Sequence, residues 1–292
     1  MSLDKDNILI SIVTICFNAE NGLEKTMNSV LSQTYNNIEY IIKDGGSTDR
    51  TNEVIVKYKK KFEQKKIRYI NISQKDQGIY DAMNQATDIA SGKYINYMNA
   101  GDVFFNENVL TDIFENNKLD SDIIYGNSVC EYEFIKDKKE YTLWKGQSQS
   151  FVQMPFSHQA CFLSTDLVKQ YHYDTSFKSA ADFHLLSRLF MDGKTFYNSD
   201  CMISICTMKG VSNTEIKRSY MESIRVKKEL GMTEFLSRDT LFSLWFMGVK
   251  QWVLKSIPYV FVGRLLRMQV KRRGALIYDS IAEIQKAVFS NK

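Results

Sequence analysis

Cysteine and proline are scarce in this 292-residue sequence, and each scarcity excludes something. The five cysteines are odd in number and form no CxxC pair. We therefore expect reduced thiols in a cytoplasmic protein rather than a disulfide framework. Only two prolines, Pro155 and Pro258, argue against long structureless linkers. No basic and then apolar segment opens the sequence, so export is not expected.

The motifs of several enzyme classes are also missing. The three histidines, His158, His172 and His184, lack the spacing of zinc ligands. The sequence contains neither a GxSxG elbow nor a GxxxxGK[ST] loop, and the absence of GxGxxG weakens a dinucleotide oxidoreductase hypothesis. Its basic residues lie in an apolar helical pattern without the stacking pattern of RNA readers, so no nucleic-acid partner is expected.

Short apolar runs alternate with amphipathic segments over the first hundred residues. The pattern predicts strands at 8–16, 38–42, 67–72 and 94–98, with helices at 18–33, 48–62 and 79–90 between them. This βαβαβαβ order predicts a parallel sheet with right-handed crossovers, hence an α/β fold. Shorter strands and helices follow up to residue 206 and predict a mixed half. The strands are expected at 123–125, 129–134, 141–144, 196–197 and 202–206.

A basic, aromatic segment lies near the C-terminus. Residues 238–274 hold eight basic residues and one acidic residue, a net charge of +7, whereas the whole chain carries +4. Helix is predicted from about residue 214 to the end. The longest uncharged stretches, 240–249 and 256–263, are too short to span a bilayer, which takes about 20 apolar residues. The basic residues flank five aromatic ones, Trp245, Phe246, Trp252, Tyr259 and Phe261.

This composition predicts an interfacial amphipathic region on an anionic membrane surface. Packing of the same aromatic residues on the body of the protein, or in an oligomer interface, is the alternative. We therefore expect a domain at 1–213 and a helical, membrane-associating region at 214–292.

Two acidic turns each follow a predicted strand. Asp44 comes two residues after the strand at 38–42, and Asp102 follows the strand at 94–98. Carboxyl ends of parallel strands are where open α/β sheets bind ligands. Asp44 could accept a hydrogen bond from a nucleotide base, or could only cap its own turn. Asp102 could hold a divalent cation that bridges two phosphates, or could cap a helical turn at Val103.

Five segments together resemble the family 2 glycosyltransferases, which have the GT-A fold, and in particular their bacterial polysaccharide and lipopolysaccharide branch. They are SIVT at 11–14 with FN at 17–18, KDGGSTD at 43–49, DQGIYDAMN at 76–84, ASGKY at 90–94 and NAGD at 99–102. The resemblance covers roughly residues 8–206. It implies a nucleotide-sugar donor, a divalent cation (Mn²⁺ or Mg²⁺) and inversion at the anomeric carbon.

The resemblance also implies roles for individual residues. Asp102 would be the metal ligand, although many relatives carry further acids at the positions of Asn99 and Gly101. Asp182 would be the catalytic base, with a helix N-cap as the alternative. His158 would contact the acceptor or the diphosphate, with a structural histidine as the alternative. The donor-binding residues implied are Thr14, Phe17, Asn18, Asp44, Asp76, Gly78, Asn84, Ala100 and Gly101.

We expect a uridine-diphosphate donor, a lipid-linked glycan acceptor and a location on the inner face of the cell membrane, and a homo-oligomer is possible. Two other classes stay open. A nucleotidyltransferase would need a glycine-rich basic loop, but residues 18–22 are acidic instead. A non-catalytic sugar-nucleotide-binding subunit of a membrane assembly is the other alternative.

Overall fold

The computed structural model describes residues 8–115, 119–135, 138–148, 151, 153–207, 216–232, 267–268, 270–271 and 275–289. The chain forms two compact units. The first comprises Met1–Ser128 and Lys145–Cys206, and the second comprises Val129–Trp144 and Thr207–Lys292. The five aromatic residues of the predicted membrane-associating segment lie outside the described residues, and the predicted division at 213/214 stays a prediction.

A parallel sheet forms the centre of the first unit, as predicted. Its strands run in the order β4, β1, β2, β3, so β1 is flanked on both sides. All seven residues of β1 are buried, which explains why it reads as a continuous apolar run. The elements are β1 (Ile10–Cys16), α1 (Leu23–Leu31), β2 (Ile38–Asp44), α2 (Thr51–Gln64), β3 (Arg68–Ser73), α3 (Ile79–Ile89) and β4 (Tyr94–Tyr97).

Antiparallel strands extend this sheet beyond β4. Strand β8 (Cys161–Ser164) pairs with β4 and with β6 (Ile123–Ile135). Strand β5 (Val103–Phe104) pairs with β9 (Phe196–Thr207). A 3₁₀ turn, His158–Ala160, leads directly into β8. The helices of this half are α4 (Val109–Phe114), α5 (Thr165–Tyr171) and α6 (Ala181–Met191).

Strands β6 and β9 are longer than predicted. The prediction of two strands in each region was wrong, because Gly126 and the polar residues around it were taken as turns. The two strands pair with each other. A Cβ atom on Gly126 would lie 2.5 Å from the Cys201 carbonyl oxygen, so the glycine permits a close crossing of two backbones.

A buried carboxylate lies at the amino-terminal edge of the parallel sheet. The Glu39 side chain is fully buried and accepts hydrogen bonds from Ser11 Oγ at 2.5 Å, Ser91 Oγ at 2.7 Å and Gly92 N at 3.1 Å. Ser91 N also donates to it, and Arg68 Nη1 lies 3.1 Å away. Glu39 therefore ties together β1, β2, β3 and the turn before β4.

The second unit contains β7 (Lys138–Trp144) with β10 (Ile277–Tyr278) antiparallel to it. Helices α7 (Ile216–Glu229) and α8 (Ile281–Phe289) agree with the helical prediction, whereas β10 departs from it. Two ion pairs join its parts, Lys138 Nζ to Asp279 Oδ1 at 2.9 Å and Arg267 Nη2 to Glu140 Oε1 at 2.5 Å.

Within the described part of the chain, no helix combines the length and the apolar character that crossing a membrane requires. None of the five cysteines, all within the described ranges, forms a disulfide in the structure, and all but Cys201 are buried.

Candidate active site

The loops that follow the parallel strands meet at the carboxyl edge of the sheet. The loop after β1 is fastened to the turn after β2, because Asn18 N donates to Ser47 Oγ at 2.8 Å and Thr48 N donates to Asn18 Oδ1 at 2.9 Å. Phe17 leaves 63% of its surface exposed beside this turn. A large exposed aromatic ring at a strand's carboxyl edge is a natural surface for a flat ligand.

Asp44 closes β2 and is almost fully buried. It accepts hydrogen bonds from the backbone N–H and the hydroxyl of Ser47, and from Ser73 Oγ at 2.9 Å. The turn-capping alternative is therefore part of the structure. A carboxylate has about four acceptor positions, so capping leaves room for a further donor.

Thr14 lies beneath the site. It is fully buried, and its hydroxyl donates to the Met98 carbonyl at 2.7 Å and pairs with Tyr40 Oη at 2.8 Å. The resemblance implied that Thr14 lines the nucleotide site, but this hydroxyl instead joins β1 to the end of β4. Burial, aided by Asp44, raises the pKa of the neighbouring Cys16 thiol to about 12, so this thiol is no nucleophile at neutral pH.

A buried lysine, which was not predicted to be a site residue, positions Asp76. Lys43 Nζ donates to the Asp44 carbonyl at 3.1 Å, the Gln74 carbonyl at 2.6 Å and Asp76 Oδ2 at 2.9 Å. Three acceptors satisfy the three donors of an ammonium group. The available signal was a lysine directly after the apolar residues 40–42 and directly before an acid.

Two glycines make this arrangement possible. A Cβ atom on Gly45 would lie 2.8 Å from Asp76 Oδ2, so any other residue here would displace the carboxylate from its position beside Lys43. Gly78 has a φ of +124° and its N–H donates to Asp76 Oδ1 at 3.1 Å. Gly78 precedes helix α3, which carries Asn84. The Asn84 side chain exchanges two 2.8 Å hydrogen bonds with the backbone of Tyr173, so its amide serves to hold α3 in place.

The second acidic turn carries Asp102. Gly101 has a φ of +99°, and its N–H donates to Thr26 Oγ1 at 2.8 Å. A side chain at this position would be strained, which gives a physical reason for the glycine. Ala100, the residue before it, sits in the same turn, with its N–H directed at the Ile15 carbonyl at 3.4 Å. The helix-capping alternative for Asp102 is wrong, because Val103 begins strand β5.

The Asp102 side chain is held by a neighbour. It is 5% exposed, and Gln159 Nε2 donates to its Oδ2 at 2.7 Å. Ser157 Oγ in turn donates to Gln159 Oε1 at 2.5 Å, which fixes the orientation of the amide. Among the described residues no group of three His, Cys, Asp or Glu side chains could hold a metal ion. One carboxylate fits Mg²⁺ or Mn²⁺ where substrate phosphate oxygens complete the coordination.

Asp182 lies in the first turn of α6, where the helix dipole favours a negative charge. The N-cap alternative is wrong, because Ala180 occupies the N-cap position. Asp182 Oδ1 accepts hydrogen bonds from Phe183 N at 2.8 Å and Tyr80 Oη at 3.3 Å. Burial and the nearby Asp182 raise the pKa of Tyr80 well above its ordinary value, so the phenol keeps its proton and donates.

His158 connects Asp182 to the second acidic turn. Its Nδ1 lies 3.3 Å from Asp182 Oδ2, and its Nε2 lies 3.2 Å from Asn99 Nδ2. The His158 and Asp182 side chains are 23% and 17% exposed, so both reach solvent. Consecutive residues of one 3₁₀ turn, His158 and Gln159, therefore contact the two carboxylates that the sequence analysis singled out for catalysis and metal binding.

Known proteins share this sequence pattern and fold. The model of Glycosyl transferase family 2 matches residues 11–171. The PGL/p-HBAD biosynthesis glycosyltransferase of Mycobacterium bovis BCG is 24% identical over 229 residues, which cover 77% of this chain and 87% of that protein.

Solved structures of two proteins share the fold. S. aureus TarS 1-349 in complex with UDP-GlcNAc superposes with a TM-score of 0.56 at 18% identity, covering 80% of this chain and 73% of that one. In another crystal structure of TarS 1-349 the chain spans 64% of the length. The mannosyltransferase PcManGT from Pyrobaculum calidifontis, in complex with GDP-Man and Mn²⁺, gives a TM-score of 0.58 at 12% identity, covering 92% and 82%.

The predicted GT-A fold is thus confirmed. The family match covers more than half of the sequence and includes both acidic turns. The chain therefore belongs to the family 2 glycosyltransferases and is an enzyme of that family.

Proposed function

We propose that this chain is an inverting glycosyltransferase that moves one sugar from a nucleoside-diphosphate donor to a hydroxyl of a growing, lipid-linked bacterial glycan. The observation that carries the proposal is the pair of carboxylates at one sheet edge. Asp102 follows β4 and Asp182 opens α6, and both are contacted by the turn at 158–160. One carboxylate on the leaving-group side and one on the acceptor side is what a single displacement requires.

In the proposed reaction Asp182 is the general base. It takes the proton of the acceptor hydroxyl while that oxygen forms a bond to the anomeric carbon and the bond to the diphosphate breaks. Attack from the face opposite the leaving group inverts the configuration. The donors on Asp182 Oδ1, Phe183 N and Tyr80 Oη, hold the carboxylate in one orientation. General-base assistance contributes about 10²–10⁴-fold to such a step.

Asp102 would hold the divalent cation, Mn²⁺ or Mg²⁺, together with oxygens of the donor diphosphate. When bound, that cation neutralises the charge that develops on the leaving diphosphate. Gln159 contributes by fixing the Asp102 carboxylate, and the backbone of Ala100 and Gly101 shapes the turn that presents it.

The donor nucleotide would lie over the turn after β2, on the exposed ring of Phe17, with its base near Asp44 and Asn18. Asp76, held by Lys43, and Gly78, which donates to Asp76, would form the adjoining wall. We favour a uridine-diphosphate sugar. The TarS structure with UDP-GlcNAc supports a donor of this class for the fold, and the GDP-Man complex of PcManGT is the competing precedent.

A screen of nucleotides by thermal unfolding tests the donor proposal. UDP with Mn²⁺ should raise the melting temperature by about 5 °C or more at 100 times its Kd, since a ligand of the native state stabilises by about 2.7 kcal/mol at that ratio. GDP, CMP and dTDP should shift it less. EDTA and D102A should each abolish the UDP shift, whereas D120N, at a fully exposed aspartate, should retain it. Equal shifts in D102A and wild type would contradict the assignment of Asp102.

We also propose that the basic segment 238–274 docks the protein on the anionic inner face of the cell membrane, where a lipid-linked acceptor is presented. The support is its net charge of +7, since each basic residue near such a surface contributes about 1 kcal/mol. Full-length protein should sediment with vesicles containing phosphatidylglycerol at low salt and be released at high salt. Sedimentation that survives high salt and truncation after residue 237 would exclude the segment as the anchor.

A further inference from the structure

Three side chains form a continuous line across the candidate active site. Asn99 Nδ2 lies 3.2 Å from His158 Nε2, and His158 Nδ1 lies 3.3 Å from Asp182 Oδ2. Asn99 belongs to the turn after β4, and Asp182 belongs to the first turn of α6. The line thus joins the turn that carries Asp102 to the carboxylate proposed as the base.

Hydrogen-bond chemistry assigns a direction to this line. An amide nitrogen is only a donor, so His158 Nε2 accepts from Asn99 Nδ2. In a neutral imidazole the other ring nitrogen then carries the hydrogen, so the protonated nitrogen is Nδ1, which lies 3.3 Å from Asp182 Oδ2. A carboxylate is only an acceptor, so this tautomer places a donor nitrogen beside it.

We infer that His158 is a positioning residue for Asp182, and that Asn99 sets it in the Nδ1–H tautomer. The inference deepens the proposed function and depends on Asp182 being the base. His158 Nδ1 lies 3.3 Å from Oδ2, whereas Phe183 N and Tyr80 Oη donate to Oδ1. With two donors on one oxygen and the imidazole beside the other, the carboxylate is kept in one orientation, and small misplacements of reacting groups cost about 10²-fold in rate.

The inference gives Asn99 a reason to be an amide. An acid at this position would accept from Nε2 and require a second hydrogen, and hence a positive charge, on the ring. The amide holds the same ring in place without that charge.

The first test is NMR of the imidazole nitrogens in the full-length protein without substrate. The chain has only three histidines, which makes assignment by single substitution practical. His158 should show the Nδ1–H tautomer, and N99L should lose it. His172 is a built-in reference, because its Nε2 faces Asp88 Oδ1 at 2.8 Å and should carry the hydrogen instead. An Nε2–H tautomer or an imidazolium at His158 would overturn the inference.

The second test is a pair of substitutions in which a side-chain amide replaces one of the two ring nitrogens of His158. H158N keeps a donor near the Nδ1 position and should retain kcat within about 10-fold of wild type. H158Q places its amide near the Nε2 position and should lose about 10²-fold in kcat, with an unchanged Kd for UDP. Equal kcat in H158Q and wild type, or a weakened UDP affinity at unchanged kcat, would overturn the positioning role.

D182N in the same assay separates the two hypotheses. If D182N is inactive and H158Q behaves as wild type, the assignment of Asp182 as the base is supported and the positioning role of His158 is contradicted. If D182N transfers sugar as fast as wild type, the proposed function fails, and with it the role of His158, whatever the tautomer.

Discussion

Replacement of Asp182 by asparagine should lower kcat for sugar transfer by about 10²–10⁴-fold, the contribution of general-base assistance. Asparagine has nearly the same shape and still accepts from Phe183 N and Tyr80 Oη through one oxygen, whereas its NH₂ replaces Oδ2 and gives up the favourable contact with His158 Nδ1. What it loses is the ability to take the acceptor proton. UDP binding, measured by calorimetry, should be unchanged, because the base acts on the acceptor side.

A matched control for D182N is available on the surface. Asp88 also faces a histidine, His172, at 2.8 Å, and the pair is 59% and 43% exposed. D88N should therefore retain wild-type kcat and contribute little to stability, as exposed ion pairs do. A D182N enzyme with more than about a tenth of wild-type kcat would contradict the assignment of the base.

Replacement of Glu39 by glutamine should lower the free energy of unfolding by about 3–5 kcal/mol, the range for breaking a buried ionic network. The side chain is fully buried, and Ser11, Ser91 and Gly92 all direct donors at it. An amide NH₂ in place of one oxygen would face these donors with another donor. Urea unfolding of wild type and E39Q at pH 7 measures the difference.

The pH dependence of that difference has a defined sign. Burial by itself raises the pKa of Glu39, but the hydrogen bonds from Ser11, Ser91 and Gly92 outweigh it and hold the pKa below its ordinary value of 4.5. A carboxyl whose folded-state pKa is lowered stabilises the native state above the unfolded pKa. The gap between wild type and E39Q should therefore be constant down to about pH 5 and shrink below pH 4.5.

Glu63 on α2 provides the matched glutamate control. It pairs with Lys59 at 3.9 Å, and both side chains are more than half exposed. E63Q should change stability by less than about 1 kcal/mol at any pH. If E39Q and E63Q have the same effect, Glu39 does not act as a buried anchor of the sheet.

The short-period patterns of apolar residues were sufficient to predict the strands and helices of the parallel half. A strand buried on both faces must be apolar throughout, and a helix packed on it must carry an apolar stripe, so both are visible in residue order. The strands of the parallel sheet and the helices between them were predicted on this basis. Glu39 and Lys43 interrupt β2 without ending it, because their charges are satisfied by residues distant in sequence.

The antiparallel half was predicted less well, because contacts between residues distant in sequence decide its strands. Gly126 and its polar neighbours resemble a turn locally, yet they form the middle of β6 because a second backbone passes over the glycine. Likewise, nothing in the order of residues indicates that Val103 enters a two-residue strand rather than a helix. Pairing with β9, which lies a hundred residues further along the chain, decides it.

By itself, the sequence determined the family, the parallel sheet and which acids stand at strand ends, since these depend on periodicity and on turns of a few residues. Only the tertiary structure decided which side chains hold those acids. Lys43 reaches Asp76, Gln159 reaches Asp102 and His158 reaches Asp182. The physical reason is that a hydrogen bond depends on two atoms meeting at about 3 Å, and only the folded sheet brings such distant residues to that separation.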